Sequence, residues 1–293
     1  MFDRPEPRPT PAELIRGLAV FAEPPTDEHS RIAEALGLES VPSSSEYSDL
    51  FLFQLYPYAS VYLGPEGMLG GEARDRIAGF WRALEETPPP ECDHLALMLS
   101  LYARLGDLGR ETEDERGERF WAHARRAFFW EHLASWLPVF LDKLRGLDDG
   151  YYAGWGRLLE EALVAEATEL AAPDEQPDEL PDELPGKLPL HLREAPPLED
   201  PRESSGEALL DSLLVPVRSG MILVRSDLER AARELDAGMR AGERKYALKA
   251  LFGQDATATL GWLEKEARSW SEIHARRADG WGLITAFWSQ RAS

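Results

Sequence analysis

Side chains able to do chemistry are few in this sequence, and their spacing argues against most catalytic arrangements. The six histidines stand at 29, 94, 123, 132, 191 and 274. His123 and His132 are nine residues apart; on one helix that is half a turn out of phase, so they face opposite sides. No HExxH or other ligand-spaced pair occurs. The single cysteine, Cys92, can build neither a disulfide framework nor a thiolate metal site. Asp93 and His94 follow it, but adjacent residues rarely face each other as a nucleophile and its base must, so Cys92 reads as small apolar filler or a free thiol at a helix start. There is no GxxxxGK[ST] and no GxGxxG; the glycine-rich stretch 64–71 lacks the lysine and the preceding strand of a phosphate loop, and Glu66 and Glu72 would repel phosphate. No metal site, cofactor or catalytic group is expected, and the chain is read as a non-enzyme.

One constellation remains. Glu91-Cys92-Asp93-His94-Leu95 follows three prolines and opens an apolar helix. Asp93 stands where an N-cap carboxylate accepts the first free backbone N–H groups. Glu91 and Asp93 are also two carboxylates at a helix mouth beside the aromatic loop 56–62, an arrangement that can fork around a guanidinium.

The elements that must position these residues are helical. The 293 residues are 43% hydrophobic, enough for a core domain plus an appendage. Thr10-Pro11-Ala12-Glu13 is a capping box with Pro at the first helical position, and a second short helix follows Thr26 and stops at Gly37. Residues 45–55 carry Tyr47, Leu50, Phe51 and Leu55 at helical spacing. Pro57 and Pro65 then make 56–71 an aromatic loop. Ile77, Phe80, Trp81 and Leu84 form an amphipathic stripe over 73–86. Helices are expected over 94–105, 114–136, from Pro138 to Leu144, and over 151–170. From Pro173 to Pro201 there are eight prolines, a density that forbids helix and favours extended chain. Helical pattern returns after 207, with a second capping box at Ser226 and a stripe of Leu260, Leu263, Ala267 and Trp270. The expected architecture is all-α: a bundle domain over 1–172, a Pro/acid-rich linker over 173–206 and a C-terminal helical extension over 207–293, whose stripe docks on the bundle.

Formal net charge is −21. Such a surface repels nucleic acid and anionic membranes and attracts a cationic peptide, although it also simply favours solubility. The opening residues carry no apolar stretch of the secretory kind, and no apolar run approaches the ~20 residues of a membrane span. A cytoplasmic protein without stable membrane insertion is the expectation.

Four segments together resemble the TorD/DmsD/NarJ family of molybdoenzyme maturation chaperones. Pro90-Glu91-Cys92-Asp93-His94-Leu95 is similar to its proline, acid and Asp-His-Leu pattern at the start of a central helix. Phe21-Ala22-Glu23-Pro24-Pro25 resembles the end of its first helix. Tyr47-Ser48-Asp49-Leu50-Phe51 with Tyr56-Pro57-Tyr58-Ala59-Ser60-Val61-Tyr62 resembles its aromatic loop. His132-Leu133-Ala134-Ser135-Trp136-Leu137-Pro138-Val139-Phe140 resembles its HL..W.P.F segment. The sequence departs from the pattern at Cys92, where the family often has Pro, and at Met98, where it often has Glu. The resemblance spans roughly residues 10–170 and implies a TorD-like bundle that binds a molybdopterin oxidoreductase through its twin-arginine leader or apo-enzyme body and holds it for cofactor insertion. The peptide-binding residues it implies are Tyr47, Tyr58, Glu91, Asp93 and His94 lining one groove, with Trp81 close by. Two other readings stay open: a helical adaptor taking another basic-apolar peptide, and a helical hydrolase using Asp93, His94 and their neighbours.

Overall fold

The computed structural model describes residues 11–38, 42–64, 69–171, 188–239, 242–277 and 281–293. It is 72% helical with no strand among these residues, in accord with the all-α expectation. The helices are α1 (Pro11–Ala19), α2 (Asp27–Ala35), α3 (Ser44–Tyr47), α4 (Ala59–Leu63), α5 (Gly71–Ala83), α6 (Leu95–Glu111), α7 (Glu115–Phe128), α8 (Leu137–Leu147), α9 (Tyr151–Ala171), α10 (Leu190–Arg193), α11 (Gly206–Leu213), α12 (Pro216–Ser219), α13 (Arg225–Glu234), α14 (Arg244–Gln254), α15 (Ala256–Ala275) and α16 (Gly282–Arg291). The capping box at Thr10 and the prolines of 173–185 lie outside the described residues.

The apolar helix α6 is central, packed between α1 and α7, while α9 lies against α1 and α8. Its burial on most sides follows from Leu95, Met98, Leu99, Leu101, Tyr102 and Leu105, all in the core. Two stretches are wound more widely than an α-helix: Ser48–Leu52 and Phe129–Leu133 are π-helical, with Leu55 N–H donating to the Leu50 carbonyl at 2.7 Å and Ala134 N–H to that of Phe129 at 2.8 Å. Such turns are rare and concentrate at functional sites. The second lies where Phe128, Phe129 and Trp130 are all buried. Consecutive side chains can be buried there because the helix is covered from several directions: Phe80 meets Phe128, Tyr102 meets Phe129, and Trp281 stacks on Phe129.

Where the sequence predicted a loop over 56–71, residues 59–63 form the short helix α4, whose start is capped from a distant part of the chain. The Ser226 capping box is displaced: α13 begins at Arg225, and the Asp227 carboxylate accepts the Val224 N–H at 2.8 Å.

Residues 188–194 are held against the bundle, while most of 196–206 is exposed. Leu192 is in the core, Leu190 N–H donates to the Glu131 carboxylate at 2.7 Å, and Arg76 pairs with Glu194. The C-terminal helices dock on the bundle as expected, but with a different surface. Leu260 of the expected stripe is 51% exposed, and α15 packs on α14 and α16. Docking falls instead to α12 against α4, to the buried Lys143–Asp227 pair at 2.6 Å, to Arg277 paired with Asp142, and to Trp281 and Trp288. Gly220 lets this happen. Its φ is +71°, and a Cβ there would stand 2.3 Å from the Ala292 backbone nitrogen, so only glycine admits the C-terminus so close.

Candidate functional site

The motif around Glu91 and the aromatic segment 56–62 are two halves of one junction. Ala59 N–H donates to the Asp93 carbonyl at 3.0 Å, Leu95 N–H to the Pro57 carbonyl at 2.8 Å, and Tyr58 and His94 pair as a single antiparallel bridge. This backbone stitching explains why Pro57 is tolerated: its carbonyl is used, and its absent N–H is not needed.

Asp93 is 2% exposed. Its carboxylate does not cap the helix it precedes. It accepts the Ser60 N–H of α4 at 3.3 Å, so it caps a neighbouring helix through a residue 33 positions earlier in the chain. The α6 start is capped instead by His94, whose Nδ1 accepts from Ala96 N–H at 3.3 Å. Burial pushes the His94 pKa down, against the pull of Glu23, Glu91 and Asp93; an imidazole that accepts from a backbone N–H is neutral at that nitrogen, which agrees. Cys92 is buried, with its thiol directed at the Arg74 carbonyl at 3.6 Å, and burial raises its pKa, so it is a poor nucleophile.

On the solvent side of this junction the remaining groups gather. The Tyr58 hydroxyl donates to Glu91 at 3.1 Å, and its ring meets the His94 imidazole edge-on with centroids 4.8 Å apart. Glu23 approaches His94 Nδ1 at 3.8 Å. Tyr47 is buried and donates to the Ala22 carbonyl at 3.3 Å. Burial first, then the charges of Glu23 and Glu91, push its phenol up to about 12. Burial and the Glu91 contact push Tyr58 up as well. The structure therefore brings Tyr47, Tyr58, Glu91 and His94 to one place, with Asp93 directly beneath. Trp81 sits half-buried on α5 and makes no hydrogen bond or ring contact with the other five.

Glu23, in the Phe21–Pro25 segment that ends the first helix, is a further member of this site. Its position after the first helix gave no signal of proximity to Glu91. Both carboxylates are exposed, and among the described residues neither is paired with a lysine or arginine; the His94 imidazole lies 3.8 Å from Glu23. No group of three or more potential metal ligands occurs among the described residues. No described helix is long and apolar enough to cross a membrane.

Residues 26–142 match the nitrate reductase delta subunit family. The chain is 30% identical over 125 residues to the chaperone protein TorD of Vibrio vulnificus strain YJ016, a match covering 40% of this chain and 58% of that protein. It is 28% identical over 125 residues to TorD of Vibrio parahaemolyticus, with the same coverage, and 30% identical over 110 residues to TorD of Photobacterium profundum, covering 35% and 50%. The chain spans about half the length of the curated relatives it matches. No solved structure matches it. The matched segment contains the Tyr58–His94 junction, both π-helical turns and α6, so the similarity to the nitrate reductase delta subunit family and to the chaperones named TorD rests on this part of the chain.

Proposed function

We propose that this chain is a non-catalytic chaperone that binds the twin-arginine leader of a molybdopterin oxidoreductase on the rim formed by Glu23, Tyr58, Glu91 and His94, and holds the client for cofactor insertion before export or assembly. One observation carries the reading: two exposed carboxylates, Glu23 and Glu91, act on the same tyrosine and have no arginine or lysine partner among the described residues. Carboxylates left in this state suit a guanidinium supplied from outside, because the forked pairing is stronger than a neutral hydrogen bond. The rings of Tyr58 and His94 offer apolar and cation-binding faces beside them. The relatives named TorD are chaperones, which agrees with a binding role, and the neutral, capping His94 and buried Cys92 leave no activated nucleophile here.

The reading is tested in the organism by deleting the gene and assaying each molybdopterin oxidoreductase for bound cofactor. One client is expected to lose most of its cofactor and regain it with the wild-type chain, and to regain much less with Glu23→Gln/Glu91→Gln. Unchanged cofactor content in every such enzyme contradicts it.

A further inference from the structure

A second uncompensated charge lies far from that rim in sequence, at the joint between the bundle and the C-terminal helices. There Gln54 Oε1 accepts the Ser226 N–H at 3.2 Å. The chain beside the joint alternates between core and surface. Leu50, Phe51 and Leu55 are buried, while Leu52, Phe53 and Tyr56 are 48%, 63% and 38% exposed. The π turn closed by Leu55 N–H to the Leu50 carbonyl holds the segment in place. Three large apolar side chains are thus presented on a short, anchored stretch of an otherwise acidic surface, an arrangement that marks interaction sites more often than chance exposure does.

Arg244 stands across the same joint. Its Nη1 donates to the Leu223 carbonyl at 2.5 Å. It feels the Tyr62 and Tyr56 phenols and Asp227, and burial pushes its pKa down. Asp227 is already engaged by Lys143 and Arg230. Among the described residues Arg244 forms no ion pair. Arg225, its neighbour at the joint, is paired with Glu229 at 3.0 Å. In a chain of net charge −21, a half-buried guanidinium that forms no ion pair among the described residues is unusual, because removing a charge from water costs free energy unless it is paired.

We infer that this joint is a second docking surface, for an extended segment of the client's body that carries a carboxylate beside a large apolar side chain. The inference rests on the chaperone reading for its client and adds the chemistry of a second contact. The carboxylate would fork onto Arg244, and the apolar side chain would cover Phe53, Leu52 and Tyr56. A twin-arginine leader is repelled by Arg244 and attracted by Glu23 and Glu91, so the two surfaces sort the two parts of one client by charge.

The test uses the full chain and a fluorescein-labelled peptide of about ten residues with two aspartates set between leucines, together with its asparagine counterpart, followed by fluorescence anisotropy. The acidic peptide is expected to bind about ten-fold more tightly than the asparagine peptide, in line with the strength of a charge-assisted hydrogen bond. Arg244→Gln should erase that difference. Phe53→Asp, at an exposed side chain, should weaken both peptides without moving the melting temperature, and it keeps the test valid should Arg244→Gln fail to fold. Equal binding of the two wild-type complexes, or no effect of either variant, overturns the inference. So does a dimer in sedimentation velocity that Phe53→Asp dissolves, since the occupant is then a second copy. A twin-arginine leader titrated in parallel separates the claims: leader binding without acidic-peptide binding removes this surface alone, and acidic-peptide binding without leader binding removes the leader reading alone.

Discussion

The Trp288 indole donates its N–H to the Ser135 carbonyl at 3.1 Å, with both residues fully buried. The last helix of the chain thereby closes on the π-helical bend that precedes α8. One hydrophobic core runs through both parts of the molecule, so the C-terminal helices are structural walls of the bundle. Trp288→Ala is expected to cost about 3–5 kcal/mol, as removal of a buried large aromatic does. A fragment ending at residue 172 should melt well below the full chain and bind a hydrophobic dye through Phe129 and Trp130. Equal melting temperatures for fragment and full chain contradict this.

Asp93 and Glu91 should separate cleanly in mutagenesis. Asp93→Asn weakens the cap on α4 and is expected to cost about 1–2 kcal/mol. Asp93→Lys places a second charge type in a buried site facing a backbone N–H and should unfold the junction. Glu91→Gln, exposed and outside the core, should change stability by less than about 0.5 kcal/mol. Chemical denaturation of the three variants checks the ranking; a Glu91→Gln loss equal to that of Asp93→Asn contradicts it.

Acid should weaken the fold before carboxylates titrate. Burial holds His132 at about 3, His191 at about 4 and His274 at about 4, from an ordinary 6.5. Arg76 adds to the downward push on the first two, and Arg277 on the third, while Glu194 opposes it at His191. The unfolded chain takes up protons near 6.5 and the folded chain only near 4 or below. The stability is therefore complete above about pH 6.5 and is lost progressively as the pH falls toward about 4. His132 Nδ1 and His191 Nε2 are 3.2 Å apart, so charging one disfavours charging the other. The denaturation midpoint should fall between pH 7 and pH 5 in the wild type and fall less in His191→Gln. A flat midpoint across that range contradicts the account.

Much of the fold was legible because helix caps and apolar stripes are local. Thr26 and Gly37 bracket α2, with Gly37 in the left-handed region at φ +72°, and the α5 stripe of Ile77, Phe80 and Trp81 lies where its spacing put it. The departures were set by partners far away in sequence. Asp93 looks like the cap of its own helix until Ser60, 33 residues earlier, is seen to take its carboxylate. Leu260 belongs to an apolar stripe by spacing and is exposed because α14 and α16 cover only part of α15. For the candidate site, Tyr58, Glu91 and His94 are together because the short Tyr58–His94 bridge joins two motifs; the contribution of Glu23 had no signal in spacing.

The central claim is that Glu23 and Glu91 receive the paired arginines of a leader. It is tested most directly by calorimetric titration of the full chain with a twin-arginine leader peptide and its twin-lysine counterpart, for wild type and Glu91→Gln. Arginine can pair with a carboxylate bidentately and lysine cannot, so the wild type should prefer the arginine peptide by about ten-fold and Glu91→Gln should lose most of that preference while its melting temperature stays unchanged. Equal affinity of the wild type for both peptides, or an arginine preference that survives Glu91→Gln intact, would contradict the account.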